Sequence, residues 1–196
     1  QSIESNTAYQ VTAISESSGE ARKFIPAGIN VYNDYKSLIA SADIDVIFIS
    51  LPNLFAAEAA CLSLQRGLHV FCEKPPARTH AELLEVEKQS LKFPELKLMY
   101  GFNHRFHLSV EEAKSIIDSN SLGRLINMKG VYGKSQMISF NQTDWRTNRE
   151  ASGGGILLDQ GIHMLDLMRY LSGENFTEVF SIIDNAFWNF DVEDNA

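Results

Sequence analysis

Over its first hundred residues the chain gathers its apolar residues into short, nearly unbroken clusters divided by polar turns. Val46-Ile47-Phe48-Ile49-Ser50-Leu51 follows Asp45 and ends at Pro52-Asn53, and Leu68-His69-Val70-Phe71-Cys72 runs into Glu73-Lys74-Pro75-Pro76. Tyr9 to Ser15, a brief stretch around Asn30 to Tyr32, and Leu96 to Gly101 carry the same signal. A strand without alternation is apolar on both faces, as a parallel sheet covered by helices requires. Helical stretches fall between these clusters. Glu20 to Phe24 is broken by Pro26 and Gly28, Tyr35 to Ala40 is short, and Leu54 to Arg66 closes at Gly67. Thr79 caps a helix reaching about Leu91, with Glu82 three residues on to complete a capping box. Strand, loop and helix repeated in this way predict an α/β, Rossmann-type doubly wound parallel sheet.

After Asn103 the pattern changes. A helix is expected from about Ser109 to Ser119, ending near Gly123, then an alternating strand from Arg124 to Lys134 and a polar, aromatic-dotted loop from Gln136 to Glu150. Gly153-Gly154-Gly155 precedes an amphipathic helix, Ile156 to Leu171, stopped by Gly173, and Thr177 to Ile183 and Ala186 to Phe190 read as strands. The second half is therefore expected to be an α+β domain with an open, mostly antiparallel sheet. The predicted division is residues 1–103 and 104–196. No glycine-rich turn precedes the first strand and the chain stops soon after a strand-like segment, so both domains are expected to be incomplete.

Composition narrows the function classes. The 196 residues are 44% hydrophobic and 21% charged, with 25 acidic against 17 basic side chains and a net charge of -8. That balance excludes a protein whose task is to coat nucleic acid. No apolar run approaches the roughly 18 residues of a membrane helix. Cys61 and Cys72 both sit in apolar patterns, which predicts buried free thiols in a reducing compartment. With no export signal at its start, the chain is expected to be cytoplasmic.

Three constellations could carry chemistry. Glu73-Lys74-Pro75 stands at the carboxyl end of a predicted parallel strand, where open α/β sheets bind ligands, although a surface lysine after a strand reads the same way. Asp159 and His163, four apart on a predicted helix, share a face, so the carboxylate could orient the imidazole for acid/base work. An ion pair or two metal ligands would show the same spacing. Asn103-His104-Arg105-Phe106-His107 lies where the parallel sheet hands over, and its two histidines could pair on a metal or simply pack at the junction. Neither histidine arrangement comes with a convincing third ligand, so no metal is expected.

In this order the motifs resemble the Gfo/Idh/MocA oxidoreductase family over roughly residues 9–196. Gly67 to Pro75 resembles its strand-and-EKP signature and Asn103 to His107 its domain junction. Gly153 to Asp166 is similar to its GG-x-x-x-D-x-G-x-H-x-x-D helix, and Leu51-Pro52-Asn53 to its T-P-N with Leu51 in place of Thr. The resemblance implies a hydride transfer between NAD(P) and a secondary alcohol or ketone of a sugar, nucleotide sugar or cyclitol. It implies Lys74 as the lysine that meets the substrate hydroxyl and nicotinamide, His163 as the general acid/base, and Asp159 as its neighbour. Leu51, Pro52, Asn53, Glu73 and Lys74 would line the cofactor, and Asn103 and Arg105 would join the substrate site.

Two departures stand out: the G-x-G-x-x-G fingerprint is not in this sequence, and Ala56 stands where a histidine often follows the proline. Glu16, ending the first strand, can accept from both ribose hydroxyls and would repel a 2′-phosphate, which favours NAD with NADP as the alternative, unless it is an ordinary turn glutamate. Trp145 and Arg146, before the glycine run, could stack on and clamp an anionic sugar or could be subunit-contact residues. Competing functions are an NAD-assisted glycoside hydrolase or lyase, a non-catalytic dinucleotide-binding protein, and a truncated inactive product. A homo-oligomer, dimer or tetramer, is expected for the full-length protein.

Overall fold

The computed structural model describes residues 6–133 and 144–196. Strands and helices alternate through the first hundred residues as β1 (Ala13–Ser15), α1 (Gly19–Arg22), β2 (Asn30–Tyr32), α2 (Tyr35–Ser41), β3 (Val46–Ile49), α3 (Asn53–Gln65), β4 (His69–Cys72), α4 (His80–Lys92) and β5 (Leu98–Tyr100). All their pairings are parallel. β1 pairs with β2, and β3, β4 and β5 form a sheet in that order, with Val46 opposite His69 and Val70 opposite Leu98.

The core forms where this second sheet meets α3 and α4. Ile47, Ile49, Val70 and Cys72 are buried in one cluster with Ala56, Ala57, Ala59, Ala60 and Leu64 of α3 and Val86 of α4. Alanines keep α3 slim, so it touches α2, α4, β3 and β4 together. Ser63, also buried there, satisfies its hydroxyl by donating to the Ala59 carbonyl at 2.7 Å. The opposite face departs from the expected double coverage. Phe48 and Met99 are 44% and 47% exposed, and the Phe48 ring lies 5.3 Å from Phe71 and edge-on to Tyr9 at 6.4 Å. Among the described residues no helix lies over that face, so the strands alternate in burial although their sequence does not.

Helix α4 starts at Thr79, whose side chain accepts from the Glu82 N–H at 3.2 Å. The predicted box closes differently: the Glu82 carboxylate accepts from the Arg78 N–H at 2.9 Å and from its guanidinium. Arg78, one residue upstream of the cap, outcompetes the Thr79 backbone because it offers charged donors.

Beyond β5 come a 3-10 turn (Asn103–Phe106), α5 (Leu108–Asp118), a second 3-10 turn (Trp145–Thr147), α6 (Arg149–Ser152), a π turn (Leu157–Gly161) and α7 (Ile162–Ser172). The predicted strands here do not form. Residues 124–133, 177–183 and 186–190 are without strand pairing, and the region's one bridge among the described residues joins Asp184 to Asn195. A strand exists only against a partner backbone, and β-rich sequence is a preference for fitting such a neighbour. Ile126, Val131, Val179 and Phe180 each stay more than 80% exposed, so no neighbour is present. Residues 134–143, the end of the predicted strand 124–134 and most of the predicted loop 136–150, lie outside the described residues. Both cysteines are free, Cys72 buried and Cys61 half-buried. No helix among the described residues is long and apolar enough to cross a membrane.

Candidate active site

The carboxyl ends of β1, β3 and β4 carry Glu16, Leu51-Pro52-Asn53 and Glu73-Lys74 respectively. Glu16 accepts from the Ser18 N–H at 2.7 Å, and its own carbonyl accepts from Arg22 at 2.7 Å. Leu51 and Pro52 are half-buried. Asn53 is buried and spends its amide on the Ser152 carbonyl, 2.8 Å away, tying α3 to the glycine run. Glu73 is exposed and lies over Gly101, where a Cβ would come within 3.0 Å of its carboxylate.

Lys74, followed by a cis peptide to Pro75, reaches across 85 residues of sequence to the π turn. Its ammonium donates to the Asp159 carbonyl at 2.6 Å and to the Asp159 carboxylate at 2.9 Å, and the other carboxylate oxygen accepts from Gln160 at 2.7 Å. Toward His163 the Asp159 carboxylate acts through its charge, favouring the imidazolium. A π turn takes an extra residue per turn, so positions four apart no longer stack directly. The carboxylate bonds to Lys74, whose side chain is 16% exposed.

His163 is buried in the first turn of α7, and its Nδ1 meets no hydrogen-bond partner among the described residues. Burial, with smaller contributions from the positive charges of His104 and Lys74, lowers its pKa to about 4, and Asp159 and Asp166 oppose this only weakly. Rings enclose it: Phe102 stands edge-on at 6.3 Å, and His104 stacks at 4.0 Å with planes 18° apart.

The junction residues divide. Arg105 pairs with Asp166 of α7, Nε to Oδ2 at 2.8 Å, and its guanidinium lies over the rings of Phe102 and Tyr170. The Asp166 carboxylate it meets is only 9% exposed, whereas the Arg105 side chain is 39% exposed. Asn103 is exposed. His104 and His107 lie 5.1 Å apart as rings, and no group of three potential ligands for a metal occurs among the described residues.

The glycine run admits close neighbours. A Cβ on Gly155 would sit 1.9 Å from the Glu193 carbonyl, and Gly153, at φ +86, lies against Arg78. The Gly155 and Ile156 N–H groups donate to Glu193, at 2.8 Å to its carboxylate and 2.9 Å to its carbonyl. Beside this contact opens a cavity of about 350 Å³, walled by Tyr132, Trp145, Trp188 and Phe190 and reaching Asp159. Lys74, bonded to Asp159, and His163 do not themselves line it. Trp145 and Arg146 stack on each other at 4.4 Å, and Arg146 is 3.5 Å from Asp144. Sequence reasoning missed Tyr132, Trp188, Phe190 and Glu193, whose parts depend on contacts far along the chain.

Comparison with known proteins gives the same frame. Residues 2–101 match the oxidoreductase family with an NAD-binding Rossmann fold, and residues 110–196 match the GFO/IDH/MocA C-terminal domain. Levoglucosan dehydrogenase of Pseudarthrobacter phenanthrenivorans is 34% identical over 79% of this chain and 39% of its own length. D-glucoside 3-dehydrogenase of Escherichia coli is 32% identical over 91% of this chain and 47% of its own length. Among solved structures, myo-inositol 2-dehydrogenase from Lactobacillus plantarum superposes with a TM-score of 0.78 at 29% identity, covering 87% of this chain and 51% of that one. A levoglucosan dehydrogenase complex with NADH and levoglucosan gives a TM-score of 0.73 at 33% identity, covering 84% and 45%. The chain thus spans about half the length, or less, of the relatives it matches.

Proposed function

Because the chain belongs to the Gfo/Idh/MocA oxidoreductase family, we propose that it forms the cofactor-binding and catalytic part of an NAD-dependent dehydrogenase acting on a secondary alcohol of a neutral sugar or cyclitol. The observation that carries this is the Lys74–Asp159 contact, 2.9 Å long, built beside a buried histidine with an unpartnered nitrogen. A buried polar atom left without a partner is costly, and a catalytic role is one reason a fold keeps it.

The residues present fit NAD. The parallel strands β3 and β4 end on Leu51-Pro52 and Lys74, toward the nicotinamide end, and β1, paired with β2, ends on the carboxylate of Glu16, which suits a ribose diol. When bound, the nicotinamide supplies the carbon that exchanges the hydride. Lys74, fixed by Asp159, donates to the substrate oxygen. His163, neutral at pH values above about 4, takes the hydroxyl proton in the oxidative direction and returns it in the reductive one.

The cavity's charges are answered from within. Asp159 pairs with Lys74, Glu193 lies 3.6 Å from Arg149, and Asp194 accepts from the Ala186 and Phe187 N–H groups. Arg146 faces Asp144 and a tryptophan ring. Aromatic walls around paired charges suit the apolar faces of a pyranose or cyclitol better than a carboxylated or nucleotide-linked sugar. The same reading takes residues 1–103 and 104–196 as two domains, places the protein in the cytoplasm with its free thiols, and has the exposed apolar side chains of residues 179–187 meet a second copy.

The test uses the full-length protein with NAD and a panel of glucosides, anhydrosugars and inositols. We expect NADH formation, and a loss of about 10²–10⁴ in kcat for His163→Asn with NAD affinity retained. Absence of NADH with every polyol, or full activity in His163→Asn, would overturn the reading.

A further inference from the structure

His104 is in closer ring contact with His163 than any other described side chain, yet it belongs to a different element. The 3-10 turn that carries it is clamped to α7 by the Arg105–Asp166 pair, so its place over the first turn of α7 is fixed from the next residue along. The two imidazoles lie face to face, 4.0 Å apart and 18° from parallel. Tyr132 lies beside the pair, its ring 5.7 Å from His104 and 6.4 Å from His163, and the His107 ring is 5.1 Å from His104. In this arrangement the ring nitrogens point outward from the stack. His104 therefore meets His163 through its ring face and not through an in-plane hydrogen bond.

Resting on the reading of His163 as the proton acceptor, we propose that His104 is a positioning residue for the reaction: stacked on His163, it fixes that ring's plane and, as the first of the two to carry a proton, keeps His163 in the unprotonated form that can accept one. Two cations 4 Å apart repel strongly, so the pair titrates as a unit. The first proton goes to the less confined ring. His163 is 5% exposed with an orphaned nitrogen, whereas His104 is half-buried.

Burial, and then the positive charges of His107 and Lys74, disfavour a cation on His104, and Asp166 favours it. Lys74 and His104 disfavour one on His163 beyond the effect of burial, against Asp159 and Asp166. Of the two acids, Asp159 is engaged by Lys74 and Asp166 by Arg105, so neither is at liberty to neutralise a second proton in the stack.

The experiment compares full-length wild type with His104→Phe, which keeps a stacked ring but carries no proton, and with His104→Gln as a smaller replacement. Two quantities are read: the acid limb of kcat/KM against pH, and the NMR titration of the His163 imidazole C–H, which needs no turnover. Both are expected to move to higher pH by about one unit in His104→Phe and His104→Gln, the low end of what a neighbouring like charge produces. A His163 titration unchanged in both variants would overturn the part given to His104 while leaving His163 as the base. A titration that moves while the kinetic limb stays would overturn the proposal from the other side, by removing His163 as the acceptor.

Discussion

The two halves of this chain bury different kinds of residue. Up to Val86 the buried positions are mostly aliphatic, from Leu38 and Ile39 through Ile47, Ile49, Leu64 and Val70. Past residue 104 the only buried hydrophobic among the described residues is Val192, and the others are Thr147, Ser152, Gly154, Gly155, Gln160, His163 and Glu193. The first half is held by removing apolar surface from water, which rewards any side chain of suitable size and shape. The second is held around the site by polar groups that must each find a particular partner, as Glu193 finds the Gly155 N–H and Asn53 the Ser152 carbonyl. Hydrophobic patterning therefore speaks for one half and is nearly silent on the other.

Breaking the first half should cost most. Leu64 is fully buried between α3 and its neighbours, so Leu64→Ala leaves a cavity and should lower stability by about 2–5 kcal/mol, measured by urea unfolding. A smaller loss, about 1–3 kcal/mol, is expected for Gly155→Ala, because the new Cβ displaces the Glu193 carbonyl and frees two backbone N–H groups. Hydrogen exchange would locate it. Protection should fall at Gly155, Ile156 and the Val192–Asp194 segment while β3, β4 and α3 keep theirs, whereas Leu64→Ala should loosen the latter.

Acid should act on the second half through His163. The unfolded imidazole takes its proton near 6.5, and the folded one resists until about 4, so between those values the unfolded state is the more protonated. Stability contributed by the neutral buried ring is complete above the unfolded value and declines as pH falls through that window. His163→Asn should therefore lose less stability than wild type when urea unfolding is compared at about pH 7 and about pH 5. Equal losses would mean that other groups govern acid unfolding.

Legibility followed the same division. β2 is read to the residue at Asn30–Tyr32, and β3, β4 and α4 fall within two residues of their predicted ends, since short apolar runs and a Thr79 cap are local signals. Strands expected at 124–134, 177–183 and 186–190 carry equally good local signals, but their pairing depends on a neighbour the described residues do not contain. Lys74, Asp159 and His163 were legible as a motif, whereas the geometry joining them was not. A π turn has no plain sequence signature, so the pairing of Asp159 with Lys74 could not be foreseen. Nor could the stack of His104 on His163 be read from residues 59 positions apart, when His104 and His107 looked just as much like a metal pair.

The least effect is expected where side chains are most exposed. Phe180 and Ile182 are 89% and 72% exposed, so neither has a folded-state contact to lose. Ile182→Ser should change the stability of this chain by no more than about 0.5 kcal/mol in dilute solution. The same substitution sharpens the contrast between the halves in the full-length protein. If a second copy covers these residues, its unfolding midpoint should drop, and by more as protein concentration rises, because association stabilises by mass action. A midpoint equally insensitive to the substitution at all concentrations would place these side chains outside any subunit contact and leave the apolar patch of the second half to solvent.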